Sequence, residues 1–217
     1  MAGQIKRYDP DLAAALFVTL GGNLPNRFDR EEEAQSLAQK LPNREQRLKY
    51  IIELCARPDS PQTRYLTAKA YSWLGDAYRR EIIRFCTEYL EGEPWSALPR
   101  GTVVEDGITI YRPARERASV LMDLAQAQDA DGSHSAALAS FLEAYRLEPY
   151  NPMPAIKAAG LVERLHGKEE AINFLNQQKS SVFYQPVKYT DAQGNTRRND
   201  SFRQLLDGYL RKLQSAD

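Results

Sequence analysis

Two histidines, two cysteines, a run of three glutamates and a pair of arginines are the residues of this 217-residue chain whose types and positions could do chemistry. His134 and His166 stand at predicted turns between helices. A metal or general-base role needs further ligands or a nucleophile at a defined spacing, and the sequence supplies neither, so both read as solvated turn histidines. Cys55 and Cys86 each take an apolar position in a helical stripe, where cysteine behaves as a small hydrophobic side chain. Two cysteines neither staple a secreted scaffold nor complete a four-ligand zinc site, and a reducing compartment is the simpler setting. Glu31-Glu32-Glu33 begins a predicted helix, where carboxylates complement the macrodipole. Arg197-Arg198 falls on a predicted turn, where the pair could contact an acid or phosphate but reads first as solvated charge. No phosphate-binding glycine loop, dinucleotide fingerprint, His-Glu-x-x-His or Cys-x-x-Cys pair occurs. The sequence therefore predicts no catalytic residue, no metal and no cofactor.

The charge balance narrows the partners. Lys and Arg number 29 and Asp and Glu number 29, for a formal net charge of zero, with mean hydropathy -0.58. Affinity for a phosphate backbone comes mainly from a basic excess, so nucleic acid is not the expected partner. The longest apolar run near the start, Leu12 to Val18, is flanked by Asp9 and Asp11, which a secretory h-region lacks; Asp9-Pro10-Asp11 reads instead as the cap and first turn of a helix. No segment has the roughly 20 apolar residues that span a bilayer. The expectation is a cytoplasmic protein of bacterial type with no membrane partner.

Helix signals fill the first half. Gly21-Gly22 closes the helix that Asp9 opens. Asp29 with Glu32 forms a capping pair before the stripe Ala34, Leu37, Ala38 and Leu41, which Pro42 ends; Asn43 with Gln46 repeats it before Leu48, Ile51, Ile52 and Cys55, which Pro58 ends. Ser60-Pro61 opens a longer stripe through Leu66, Ala70, Leu74, Tyr78, Ile82, Cys86 and Leu90, readable as one bent helix or as two. Val103 to Ile110 is two β-rich runs around Asp106-Gly107, a hairpin signal. A lone hairpin is marginal in water, so its apolar side must pack on neighbours, with Trp95 placed beneath it.

From Ala118 the pattern becomes periodic. Leu121, Leu124 and Ala125 stripe one helix, Gly132 turns the chain, and Ala137, Leu138, Phe141 and Ala144 stripe the next until Pro149. The spacing Ala137-x3-Phe141-x2-Ala144-x4-Pro149 resembles the second helix of a tetratricopeptide repeat. Ala118 and Pro152 lie 34 positions apart in the numbering, the period of that family, and Ala158-Ala159, Gly167, Ala171, Ile172 and Leu175 recur in corresponding places. Trp73-Leu74-Gly75-x2-Tyr78 resembles the first-helix signature of a degenerate copy upstream. Tyr71, Tyr78 and Tyr145 fall where helical-repeat packing uses aromatics.

The resemblance implies an all-α fold: a single tetratricopeptide-like α-solenoid over 1–217. Within it, 1–91 are degenerate helical repeats, 92–113 a hairpin insertion, 114–179 two repeats, and 180–217 a loop and a capping helix. That helix is striped by Phe202, Leu205, Leu206, Tyr209, Leu210 and Leu213. It also implies a non-enzymatic adaptor or assembly factor, because the first helices of successive repeats line a groove for a peptide or partner helix. The groove positions are Lys69, Ser72, Asp76 and Arg79, then Ser119, Met122, Gln126 and Asp129, then Met153, Ile156, Gly160 and Glu163. Co-chaperone members of the family clamp a C-terminal carboxylate with Lys and Asn; here Met122, Gln126, Ile156 and Gly160 stand at those places, so a protein or peptide ligand without a free-carboxylate requirement is expected. The alternative reading is a self-associating, homodimeric structural protein.

Overall fold

The computed structural model describes residues 8–22, 24, 30–57, 60–92 and 102–215, and these gather into two compact units, Met1–Pro99 and Arg100–Asp217. The described chain is mostly helical, with two small antiparallel hairpins.

The first unit holds α1 (Pro10–Thr19), α2 (Glu31–Lys40), α3 (Arg44–Leu54), α4 (Pro61–Leu74) and α5 (Arg79–Glu91). Asp9 caps α1, accepting a hydrogen bond from the Leu12 amide at 3.0 Å, while its other oxygen takes Arg30 Nη1 at 2.8 Å. Arg30 Nε also donates to Glu33 at 2.8 Å, so one guanidinium joins the first turns of α1 and α2. Leu12 through Phe17 are all buried, a helix apolar on every side that packs against α2, α3 and α4. The apolar run that could be taken for a leader is thus the centre of this unit. Phe17 stacks on Trp73 with centroids 4.6 Å apart, and a Cβ on Gly22 would fall 2.1 Å from the Phe17 ring, so only glycine fits there.

Asn43 accepts from the Glu45 amide at the start of α3, and Ser60 with Thr63 closes a capping box at the start of α4. The stripe from Ser60 to Leu90 resolves into two helices. Gly75, at φ 93°, ends α4 in a conformation open to glycine, and a 3-10 turn, Asp76–Tyr78, leads into α5. Asp29, Pro58 and Trp95, which the sequence reading uses as cap, stop and hairpin support, lie outside the described residues.

The second unit opens with β1 (Thr102–Glu105) and β2 (Ile108–Tyr111), paired so that Glu105 faces Ile108 across the turn. Asp106 at φ 49° and Gly107 at φ 80° give the two left-handed residues that an Asp-Gly hairpin turn requires. Four antiparallel helices follow: α6 (Arg112–Ala130), α7 (His134–Leu147), α8 (Met153–His166) and α9 (Lys168–Gln178). Ala125, Ala137, Phe141, Ala158 and Leu161 make one core where α6, α7 and α8 meet. Ala159, Ala171 and Leu175 make a second with Phe202, Leu206, Leu210 and Leu213 of α10 (Ser201–Ser215). The expected C-terminal stripe is thereby buried except at Leu205, which is 45% exposed, and at half-buried Tyr209. Tyr184 fixes the 3-10 turn Val182–Tyr184 to α10 by donating to Asp207 at 3.0 Å.

One stretch differs from expectation. Residues 180–200, read as irregular loop, contain a second hairpin, β3 (Val187–Thr190) and β4 (Thr196–Asn199). Its Tyr189 and Val187 meet the turn of the first: a Cβ on Gly107 would stand 2.6 Å from Tyr189 Cβ and 3.2 Å from Val187 Cγ1.

Phe141, 2% exposed, fills the space left between Ala137 and Ala158. Phe141→Ala is expected to cost about 3–5 kcal/mol through the cavity it leaves, and Ala137→Leu about 1–3 kcal/mol through overpacking. Chemical-denaturation midpoints measure both.

Candidate functional site

Of the twelve expected groove positions, four fall in the first unit and eight in the second. In the first unit, Lys69 and Ser72 lie on α4, but Lys69 is only 7% exposed and the Ser72 hydroxyl donates to the Ala68 carbonyl at 2.9 Å. Asp76 is exposed on the 3-10 turn and Arg79 opens α5. The spacing 69-72-76-79 fits one helix face only if the helix runs unbroken, and Gly75 breaks it. A buried Lys69 offers no ammonium to a ligand, and the four positions belong to three elements.

In the second unit, Ser119, Met122, Gln126 and Asp129 do share a face of α6. Gln126 is exposed and Met122 is half-buried against the Ala125–Phe141 core. Asp129 is engaged by the scaffold: Arg164 Nη2 of α8 donates to both its oxygens at 2.6 and 2.7 Å, and His134 Nδ1 lies 2.9 Å from Oδ1. This corrects the reading of His134 as a purely solvated turn residue, and it ties the last turn of α6 to α8. On α8, Met153 is 36% exposed, whereas Ile156 is buried. A Cβ on Gly160 would stand 3.2 Å from the Tyr209 hydroxyl, so α10 lies over this part of the helix. Burial pushes the Tyr209 phenol up, the charge of Glu163 adds to the rise, and Arg164 opposes it. Gly160 and Glu163 therefore neighbour α10, and the open positions on α6 and α8 are Gln126 and Met153, with Met122 and Ser119 partly covered.

The remaining polar groups are mostly satisfied within the fold. Glu148, buried at the α7–α8 connection, accepts from Tyr150 Oη at 2.8 Å and Asn151 Nδ2 at 3.2 Å. Burial, reinforced by that carboxylate, pushes the Tyr150 phenol up. Glu31, Glu32 and Glu33 occupy the first turn of α2, as the macrodipole argument expects. Arg197 lies on β4 rather than a turn and pairs with Asp191 at 2.8 Å. An open cleft of about 560 Å³ lies between α8 and α9, lined by Val162, His166, Glu170, Asn173, Phe174 and Gln177. Among the described residues no three His, Cys, Asp or Glu side chains are grouped as metal ligands.

The sequence reading missed Arg164 and Tyr209 as neighbours of the expected groove. Arg164 is 35 positions from Asp129, and nothing local marks such a pair. Their effect is to close part of the face on which the family resemblance places the ligand.

Two outcomes follow. Cys55 and Cys86 are both buried, and burial pushes the Cys55 thiol up to about 12; native protein at pH 8 should leave Cys55 unlabelled by maleimide, with labelling appearing only in denaturant. Burial alone would raise the Asp129 carboxyl, but the bonds from Arg164 and His134 outweigh it and hold the group below its ordinary 3.8. A depressed carboxylate stabilises the fold above the unfolded-state value and loses that contribution as pH falls through the folded one. Asp129→Asn should lower stability at pH 7 by under about 1 kcal/mol, given the partial exposure of all three groups. The difference from wild type should shrink as the pH falls below 3.8, which thermal melts across pH measure.

Compared with models of known protein families and with curated proteins, the sequence matches none, so the functional reading rests on its own residues and their geometry.

Proposed function

We propose that this chain is a non-enzymatic, tetratricopeptide-like interaction module whose α6 and α8 receive a peptide or a helix of a partner protein. The observation that carries the reading is the Asp129–Arg164 bridge. It ties the last turns of α6 and α8, the first helices of two consecutive helix pairs, and so supports the side-by-side placement that a repeat groove needs. The 34-residue recurrence, the buried Ala137, Phe141 and Ala144, and the buried Ala158, Ala159 and Ala171 support the same register. The contact surface is smaller than the sequence alone suggests. It centres on Gln126 and Met153, with Met122 beside them, and ends where Tyr209 covers Gly160.

Met153 and Met122 are flexible, polarisable side chains suited to a partner's apolar anchor, and Gln126 supplies hydrogen bonds that set its register. With no unpaired charge at the centre, affinity should fall in the micromolar range, about -8 kcal/mol. A partner isolated on immobilised protein from the native host supplies the ligand. The variants Met153→Glu and Gln126→Arg should then weaken its binding about tenfold or more while the thermal midpoint stays that of wild type. Binding unchanged in both variants moves the interaction to another face. Light scattering on the purified chain separates this reading from self-association, which requires a concentration-dependent dimer.

A further inference from the structure

The second hairpin lies outside the proposed α6–α8 face and carries recognition chemistry of its own. Its loop fixes the ladder. The Asp191 amide donates to the Asn195 carbonyl at 2.9 Å, the Gly194 amide donates to the Asp191 carbonyl at 3.0 Å, and Gly194 sits at φ 82°. This is a three-residue hairpin loop closed by a left-handed glycine, with Asp191 and Asn195 as a hydrogen-bonded pair. Bonded and non-bonded pairs alternate along an antiparallel ladder. Counting back through the register, Thr190/Thr196 and Lys188/Arg198 are the non-bonded pairs. Their side chains share one face at the closer cross-strand spacing, and their main-chain N–H and C=O groups turn outward, away from the partner strand.

The two faces of this hairpin differ. Val187 and Tyr189 lie under the Asp106-Gly107 turn. Lys188, Thr190, Thr196 and Arg198, on the opposite face, are all exposed. Lys188 stands directly across from Arg198, and like charges in that position destabilise a sheet. Among the described residues only one distant, shared carboxylate lies near them. Lys188 forms no ion pair among the described residues, and Arg198 reaches only Asp200, at 3.9 Å. Asp200 already holds Gln204 at 2.6 Å and Arg203 at 3.6 Å. From Lys179 to Ser215 seven Lys and Arg face three Asp and no Glu, a local surplus in a chain whose formal charge is zero.

The edge is open as well. The sheet has two strands, and no hydrogen bond among the described residues reaches the outward main-chain groups of Thr196 or Arg198. We propose that β4 is a docking edge for an acidic, extended segment of a partner protein, which adds as a third strand and turns its carboxylates toward Arg198 and Lys188. Main-chain bonds to the edge give such a segment affinity, and alternate acidic side chains give it selectivity. A polynucleotide could neutralise the charge but has no peptide groups to pair with the edge, which favours a peptide.

The test is fluorescence anisotropy at low salt, using the 217-residue chain and a labelled octapeptide of alternating Glu and Val. The acidic peptide should bind, and its Lys/Val counterpart should not. Amide N-methylation at one alternate set of positions should weaken binding at least tenfold, while methylation of the other set is tolerated, because a paired strand points only one set at the edge. Lys188→Gln with Arg198→Gln should cause a similar loss without lowering the thermal midpoint, since the change removes a repulsion. Absence of binding by the acidic peptide overturns the proposal. So do equal affinities for both methylated peptides and their parent, undiminished binding by the double variant, or tighter binding of an oligothymidylate of matched charge.

Discussion

Helices in this chain come together at alanine. Ala13, Ala14, Ala34, Ala68 and Ala70 in the first unit, and Ala118, Ala125, Ala137, Ala144, Ala155, Ala158, Ala159 and Ala171 in the second, are all fully buried. A methyl side chain lets two backbones approach toward the short end of the roughly 8–10 Å range of helix packing, and it carries the highest helix propensity of any residue. It contributes little transfer free energy by itself. The large side chains set beside the crossings supply that instead, each at about 1.5–3 kcal/mol: Phe17 and Leu66 in one unit, Phe141, Leu161, Leu175 and Phe202 in the other. The division between small residues at crossings and large ones in the spaces between them keeps α6 to α9 in an antiparallel stack. It thereby gives α6 and α8 a defined separation.

The scaffold draws on the same polar residues that a groove would need. Asp129 holds Arg164 and His134, Glu148 holds Tyr150 and Asn151, and Asp9 holds Arg30. Each of these joins elements or turns that hydrophobic packing alone would leave free to slide. Their use in positioning helices explains why the α6–α8 surface is mixed and only weakly charged. A ligand at the proposed site would rely on shape and on flexible apolar contact rather than on a salt bridge.

Legibility in the sequence followed the range of the interaction. Caps and stops act within one helical turn, so Asp9-Pro10, Asn43 and Ser60-Pro61 read directly as helix starts. Asp106-Gly107 marks a turn that no other geometry favours. Ala137, Phe141, Ala144 and Ala171 were readable as core because their spacing is that of one buried helix face. The β3–β4 hairpin was not, since Thr196-Arg197-Arg198-Asn199 has no apolar alternation; its signal was the Asp191-x-x-Gly194 loop after the alternating Val187-Lys188-Tyr189-Thr190. The break at Gly75 is visible as a glycine but not as a helix end, because glycine is tolerated inside helices at about 1 kcal/mol. The burial of Lys69 and the approach of Tyr209 to Gly160 depend on elements distant in sequence, and no local pattern encodes them.

The meeting of the Asp106-Gly107 turn with Tyr189 also orders the events of folding. Neighbouring helices from α6 to α9 are joined by short connections, so their contacts close small loops and can form early. Gly107 and Tyr189 are about 80 residues apart, and closing that loop is worthwhile only after the helices between them have already brought the ends near. During synthesis the first hairpin leaves the ribosome well before the strand that contacts its turn, and a two-stranded ribbon alone is marginal in water. The C-terminal segment therefore supplies the contact that fixes the turn of the earlier hairpin.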